Sequence, residues 1–508
     1  MAARSALSEK ETKDILSRIA QARADRWHFA PAYNDFLELA RPHRQRVAKD
    51  SLSTPRPTDE QNDLFDTTLQ DVVDDFASDM LDEFTPSYKP WTKHVPTAAV
   101  RGPAQKRQVN DYVDQRMKAL YDEIRRSSFE EASQELWIDL AIGPSAIEIG
   151  YSEPGRPVSV EHVPINELLI RPGPYGGVDD RFRERIVKVS HLDTIWPELD
   201  WTDFGATKEM RALSKATAVV VTGGFRDWSK SDETWNWHVI ANSKVLRRRE
   251  YTGSGSCPLI VGRVAVSSPT AYGVGPGIKA IAPARTLNEL NYLFLKKHGR
   301  DLNPPYVFYD DGLLNPEGGI DDGTWLPASE NFKVMPLVTD QTGREVWFQQ
   351  EDLRMMIRRA LFQDKPYQRG DTPPTALQWA SEEAMSARRM SFPRARLHEE
   401  FVLPVIRRFE WIMQRRGQID PLKIEGEIVN IEPVSPLSRA ADLEEANRAI
   451  QFLQGVGTVM PNALMRIDEG VTMNAIKQKM GADLVEVLSD EAWQQKMAVV
   501  AQTGGQTE

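Results

Sequence analysis

The period of the apolar residues changes near residue 140, and that switch limits the folds open to this chain. Over 61–83 the apolar residues are Leu64, Phe65, Leu69, Val72, Val73, Phe76, Met80 and Leu81. They form one stripe of a 3.6-residue period, so a helix is expected there. The opposite face carries Asp63, Asp66, Asp71, Asp74, Asp75, Asp79 and Asp82. It reads as a solvated helix face. Residues 105–140 repeat the pattern through Val109, Val113, Met117, Leu120, Ile124 and Leu136. Pro86, Pro90, Trp91 and Pro96 mark a connecting loop between the two. Beyond 140 the pattern shortens to alternation in Ala146–Tyr151, Val158–Glu161, Arg185–Val189, Val219–Val221 and Trp235–Ile240. Turns such as Pro172-Gly173-Pro174 and Gly176-Gly177 separate these runs. A helical block followed by a sheet block of roughly 120 residues specifies a multidomain α+β fold with an antiparallel β region.

Helical character returns from Ile278 to about Arg300, with Leu287, Leu290, Leu293, Phe294 and Leu295 as apolar members. Such a helix would be about 35 Å long. Short strands and turns follow over 302–349, then a helical piece at 350–363 and a polar, proline-rich loop at 364–374. A long helix is predicted over 375–416, bent at Pro393 and Pro404 because proline lacks a backbone donor. Arg415-Arg416-Gly417 is its expected stop. Lys423–Val429 reads as a strand, and the last 70 residues as helices ending in a frayed tail.

The 508-residue length fits about three domains. No run approaches the roughly 20 apolar residues of a membrane span. No apolar segment follows Met1-Ala2-Ala3-Arg4-Ser5, so no secretory signal is expected. Cys257 is the single cysteine. That excludes an intrachain disulfide and a Cys-based zinc site, and fits assembly in a reducing cytoplasm. A net charge of −11 is unlike a basic nucleic-acid grip. It is compatible with a protein that surrounds DNA without holding it, since acidic walls repel phosphates.

Catalytic motifs are sparse. Gly273-Val274-Gly275-Pro276-Gly277 follows the strand-like Ile260–Val266 and precedes a helix, as a phosphate-binding turn would. The spacing is not GxGxxG, and Pro276 lacks an amide, so a glycine-lined exit from a sheet is the better reading. The eight histidines never pair at helical spacing, and His398-Glu399-Glu400 reads as a solvated face. Asp310, Asp311, Asp321 and Asp322 are the acids that could bind a divalent metal, though each pair sits beside turn glycines. Cys257 reads as a small buried residue. No cofactor is expected.

The order of segments adds a family resemblance. Thr270-Ala271-Tyr272-Gly273-Val274-Gly275-Pro276-Gly277, then Leu290-Asn291, Asn303-Pro304-Pro305 and Asp310-Asp311-Gly312, resembles the YGxGPG…LN…PP…DDG pattern of the portal proteins (head-to-tail connectors) of short-tailed bacteriophages. Trp27–Pro31 with Glu38–Pro42 resembles that family's N-terminal helix pair. Leu136–Ile149 is similar to its central helix-to-strand step. Ala384–Pro404 with Arg415-Arg416-Gly417 is similar to its long helix. The likeness runs from about residue 15 to 440.

The resemblance implies a portal-type subunit with no enzymatic activity, in a homo-oligomeric ring of typically twelve copies at one vertex of the virion. It implies a wing (1–275, helical over 1–140 and β-rich over 141–275), a first stem helix (276–301), a clip (302–349) and a second stem helix (350–363). A tunnel loop (364–374), a wing long helix with a return strand (375–437) and a helical crown (438–508) complete it. The implied partners are double-stranded DNA in the channel, the terminase large subunit, major capsid and scaffolding proteins and tail adaptors, with no membrane. Assembly would take place in the host cytoplasm, and packaging and ejection of the genome would pass through the ring.

Within this frame Lys365, Tyr367, Gln368 and Arg369 of the tunnel loop, with Lys296, Lys297 and Arg300 of the stem, would face DNA. The cations would make sequence-blind phosphate contacts, or be ordinary solvated charges. Asp321, Asp322 and Trp325 would mark the clip tip. Trp325 would anchor an adaptor interface or pack within the clip. Two other readings stay open: a metal-dependent nucleic-acid-processing enzyme using the paired aspartates, and another virion structural protein such as a tail adaptor.

Overall fold

The computed structural model describes residues 9–44, 46–47, 63–87, 89–96, 103–151, 155–267, 269–302, 306–309, 325–328, 335–336, 343–363, 393–420, 429–433, 436–459 and 469–480. None of the described helices is long and apolar enough to cross a membrane. Two compact units emerge: 1–87 with 114–422, and 88–113 with 423–508.

The first unit opens with α1 (Glu9–Ala40), whose Ile15, Ile19, Ala22, Arg26, Ala30, Tyr33 and Leu37 form one buried face. α2 (Thr68–Phe84) starts later than the periodicity suggests. Asp66 Oδ1 accepts a 2.8 Å bond from the Thr68 amide, a local turn that sets the helix start. Leu64 and Phe65 therefore lie outside the helix. In the second unit, β1 (Thr92–Pro96) is a strand where a loop was expected. The helical stretch after it is two helices, α3 (Pro103–Arg126) and α4 (Phe129–Leu140). They part where Ser127 Oγ donates to Ile124 O at 2.6 Å, and the Phe129 amide donates to Ser127 Oγ at 3.3 Å. Such side-chain bonds compete with the helix ladder.

Two antiparallel sheets follow in the first unit. The smaller joins β2 (Ser145–Ile149), β3 (Val160–Val163) and β9 (Leu259–Gly262) in the order β3-β2-β9. The larger contains β4 (Leu168–Pro172), β5 (Val178–Lys188), β6 (Thr217–Arg226), β7 (Thr234–Ala241) and β8 (Lys244–Thr252) in sequence order. Its two faces have separate cores. Ile15, Ile19 and Ala22 of α1 pack with Leu169, Phe182, Val221 and Ile240 on one. Val187, Val220, Val239 and Ala241 pack on the other with Trp201 and α5 (Val189–Ile195). α6 (Lys208–Ala212) lies between β5 and β6 in sequence. Every residue of β7 is consequently buried, the pattern of a strand covered on both faces. β4 and β8 show no apolar–polar alternation in the sequence. β4 begins with three buried residues in a row, whereas β8 is an edge strand with Arg247, Arg248 and Arg249 in succession.

A 3₁₀ turn at Pro276–Ala280 leads into α7 (Ile281–Leu302). A small sheet joins β10 (Tyr306–Tyr309), β11 (Trp325–Ala328) and β12 (Met335–Pro336). β10 pairs in parallel with β11 and antiparallel with β12. α8 (Gly343–Ala360) begins seven residues before the helical piece anticipated at 350, opened by glycine, a weak helix former. Of the long helix expected over 375–416, residues 375–392 lie outside the described residues. The remainder is helical from 393, passes through a π turn at His398–Val402 and continues as α9 (Leu403–Arg415). The π turn sits where Pro404 lacks an amide, and the Leu403 amide donates to His398 O five residues back. α9 stops as expected: Gly417 has φ +68°, its amide donates to Gln414 O at 3.0 Å, and Gln418 N donates to Met413 O at 3.0 Å.

In the second unit, β1 pairs antiparallel with β13 (Val429–Pro433) from Thr92↔Pro433 to Pro96↔Val429. The strand expected at Lys423–Val429 lies outside the described residues except for Val429. The helices anticipated in the last 70 residues include α10 (Pro436–Val459) and α11 (Glu469–Met480). The frayed tail lies outside the described residues.

Candidate functional site

The Gly273–Gly277 string is the root of α7. Its amides are not a phosphate cradle. Gly275 N donates to Ile142 O at 2.7 Å, and Gly277 N donates to Ala141 O at 2.9 Å. Side chains are excluded as well as ligands. A Cβ on Gly273 would lie 2.1 Å from Ala265 O, on Gly275 2.2 Å from Ala141 O, and on Gly277 2.4 Å from a Phe36 ring carbon. Tyr33 Oη donates to Gly273 O at 2.6 Å, and Tyr272 Oη receives the Ile170 amide at 3.0 Å. Burial pushes both phenols well above the usual tyrosine range. The glycine-lined exit from a sheet is thus the reading that holds.

Beyond its root, α7 is tied to its surroundings by amide side chains. Asn288 Oδ1 accepts from Phe65 N at 2.7 Å, and Asn288 Nδ2 donates to Asp63 O at 2.9 Å. Asn291 Nδ2 donates to Asp66 Oδ2 at 3.0 Å, and Asn291 Oδ1 accepts from Gln350 Nε2 of α8 at 2.7 Å. Arg354 of α8 pairs with the same Asp66 at 3.3 Å. Phe65 packs against Tyr292 with 5.1 Å between ring centroids. Asp66, read from the sequence as part of a solvated face, is therefore the junction of α2, α7 and α8. Two asparagines at i and i+3 among leucines were the sequence signal for this network.

The outer half of α7 is different. Only Ala284 and Leu287 are buried among its described residues. Leu293 and Leu295 are more than half exposed, and Leu302 is 88% exposed. Met356 of α8 is also largely exposed. Of the cations expected to face DNA, Lys296 and Arg300 are exposed and one turn apart, hence on one face. Lys297 is half-buried. The Lys296 ammonium stands 5.9 Å from the Tyr292 ring centroid. Lys365, Tyr367, Gln368, Arg369, Asp321 and Asp322 lie outside the described residues. Trp325 opens β11 across from Tyr306.

Two further expectations change. His398-Glu399-Glu400 is not a uniformly solvated face. Glu400 binds the buried Arg263 in bidentate fashion, at 2.8 and 2.5 Å. Burial pushes the His398 imidazole below its ordinary value. Cys257 is buried as expected, and burial pushes its thiol up. Among the described residues no group of three or more His, Cys, Asp or Glu could hold a metal ion. Asp310 and Asp311 lie outside the described residues.

Two solved structures are similar over most of the chain. One is the "Neck of empty GTA particle computed with C6 symmetry", at 12% identity and a TM-score of 0.36 over 80% of this chain and 89% of that one. Another is the "Virion of native gene transfer agent (GTA) particle", at 12% identity and a TM-score of 0.38 over 87% and 93%. Scores at this level do not establish a shared fold. No curated protein matches the chain. The family model described as "Bacteriophage head to tail connecting protein" matches residues 12–487, which take in most of both units and every element from α2 to α11. This chain belongs to the bacteriophage head-to-tail connecting protein family.

Proposed function

We propose that this connector is a portal subunit: it forms a ring, of twelve copies, at one capsid vertex and conducts double-stranded DNA during packaging and ejection. The observation that carries the ring is α7. Its outer apolar residues, Leu293 and Leu295, are more than half exposed in the described chain. A neighbouring copy in a closed heterologous ring supplies cover for them. In this reading residues 1–275 and 375–437 are the wing, and 276–301 and 350–363 the stem. Residues 302–349 are the clip, 364–374 the tunnel loop and 438–508 the crown. Lys296, Lys297 and Arg300, with Lys365, Tyr367, Gln368 and Arg369, touch passing DNA through weak, salt-screened contacts. Asp321, Asp322 and Trp325 meet a tail adaptor. The terminase large subunit docks on the ring and supplies the energy, while major capsid and scaffolding proteins seat it in the virion. No residue of this chain carries out a reaction in this scheme.

The test is native mass measured together with negative-stain imaging, in the presence and absence of the cognate scaffold. Twelve copies of 57.5 kDa give about 690 kDa. Rings with a central hole near that mass are the expected result. A monomer in both conditions that cleaves DNA with Mg²⁺ would overturn the proposal in favour of a nuclease using the paired aspartates.

A further inference from the structure

We propose that one face of the five-stranded sheet carries a binding site for a small oxyanion, a phosphate or the carboxylate tip of an acidic side chain. The site is a cavity of about 150 Å³ lined by Arg185 of β5, Thr222 of β6, Trp237 of β7, Arg247 and Arg249 of β8, and Arg408 of α9. Strand register explains the convergence. Thr222 pairs with Val239, and Val239 with Arg247. Trp237 pairs with Arg249 one step along. Residues two apart share a face of a sheet, so β8 delivers Arg247 and Arg249 to the same side. Arg408 comes from α9, its guanidinium bonded to the carbonyls of Ile149 and Ser256.

Charge and unmet hydrogen bonds both point to an anion. Four guanidiniums line the cavity against one carboxylate, Glu148; Glu148 is already bound by Arg183 at 2.9 Å, and of the four Arg185 also reaches Glu161 at 3.4 Å. Glu198 reaches Arg249 at 3.1 Å and Arg247 at 3.6 Å, but it is 65% exposed. Its carboxylate shares those arginines with water and is cheaply displaced. Thr222 is buried, and its hydroxyl has no hydrogen-bond partner among the described residues. The covered Nε of Arg185 is likewise without one. The Arg185 Nε–H can only donate, and the Thr222 hydroxyl can donate as well as accept, so an acceptor is the partner that would serve both. Size narrows the class further. The cavity is well below the roughly 300–1,000 Å³ of a small-molecule site, so a nucleotide does not fit but a single oxyanion does. The Trp237 wall places a fluorescent reporter beside it.

The full chain should be titrated, by tryptophan fluorescence and calorimetry, with inorganic phosphate and separately with a short poly-glutamate peptide. At least one is expected to bind saturably and to weaken with added salt. The paired substitution Arg247→Ala with Arg249→Ala should weaken it about tenfold or more. Thr222→Val, which keeps side-chain size, should weaken it severalfold and serves if the double variant unfolds. Saturation by phosphate identifies a free ion as the ligand. Saturation by the peptide alone identifies a carboxylate from another chain. The proposal is overturned if neither probe saturates by about 10 mM, or if folded variants bind as the parent does.

Discussion

The five-stranded sheet and α7 belong to the same unit, yet they use their apolar residues in opposite ways. The sheet covers both faces from within its own chain: α1 seals one, α5 and Trp201 the other. Between β5 and the three-stranded sheet a buried charge is absorbed as well. Arg183 is buried and binds Glu148, Glu161 and Glu167 at 2.8 to 2.9 Å. α7 has 22 residues and is buried at only two of its described positions. Helices gain most of their stability from packing an amphipathic face. The sheet is therefore a finished fold, and the outer half of α7 is one half of a contact.

Trp137→Ala tests whether the sheet-bearing unit is self-sufficient. The indole is fully buried, stacks on Phe84 at 5.4 Å, meets Phe401 edge-on at 5.2 Å and donates to Thr85 Oγ1 at 3.2 Å. Its loss should cost about 3–5 kcal/mol in urea unfolding. A cost below 1 kcal/mol would mean that this core does not hold the unit together.

The next effect is one of pH. Burial, aided by the neighbouring Arg248, pushes the His238 imidazole down to about 4. Phe225 stacks on it at 5.6 Å, and Glu11 and Asn236 act weakly the other way. Between pH about 6.5 and about 4 the unfolded chain binds a proton that the native chain refuses. Stability should therefore fall as pH drops through that window, by up to about 3 kcal/mol from this residue. His238→Phe should flatten that part of the slope. An unchanged slope would show that His238 takes up its proton in the folded protein.

Gly275→Ala probes the joint between the two regions. The added methyl meets Ala141 O at 2.2 Å, and overpacking of this kind costs about 1–3 kcal/mol. A melting temperature equal to the parent's would show that the joint yields. The exposed leucines of α7 separate the stability of one chain from its assembly. Leu293→Lys with Leu295→Glu should leave monomer stability within about 0.5 kcal/mol while abolishing high-mass assemblies in light scattering. A destabilised monomer would mean that these leucines are covered within one chain after all.

The regions also differ in how plainly they can be read from sequence. α7, α9 and its Gly417 stop follow from periodicity and end signals, which are local. β4 and β8 do not, because their patterns are set by what lies above and below the sheet. Leu168-Leu169-Ile170 is apolar on both faces, and Arg247-Arg248-Arg249 looks like a loop until β7 pairs with it. The short break at Ser127 and the late start of α2 turn on single hydroxyl and carboxylate bonds, which no period reveals. The family pattern YGxGPG was legible as a motif, and its glycines as a tight turn. Their partners, the carbonyls of Ala141 and Ile142, lie more than a hundred positions away and are fixed only by the fold. The cavity between Arg185, Arg247 and Arg408 has the same cause: three distant arginines share a space because strand register and α9 bring them there.

The root of α7 has a mechanical consequence. Glycine usually marks a hinge, but here Gly273, Gly275 and Gly277 are clamped between backbone carbonyls and Phe36, and two of their amides are bonded to the α4–β2 corner. A helix so anchored cannot swivel at its base. A load along α7 passes straight into that corner and on to β2, at the centre of the three-stranded sheet. Compliance, if the assembly has any, belongs to the far end of the rod, beyond Asn291, where the bonds to Asp66 and Gln350 stop.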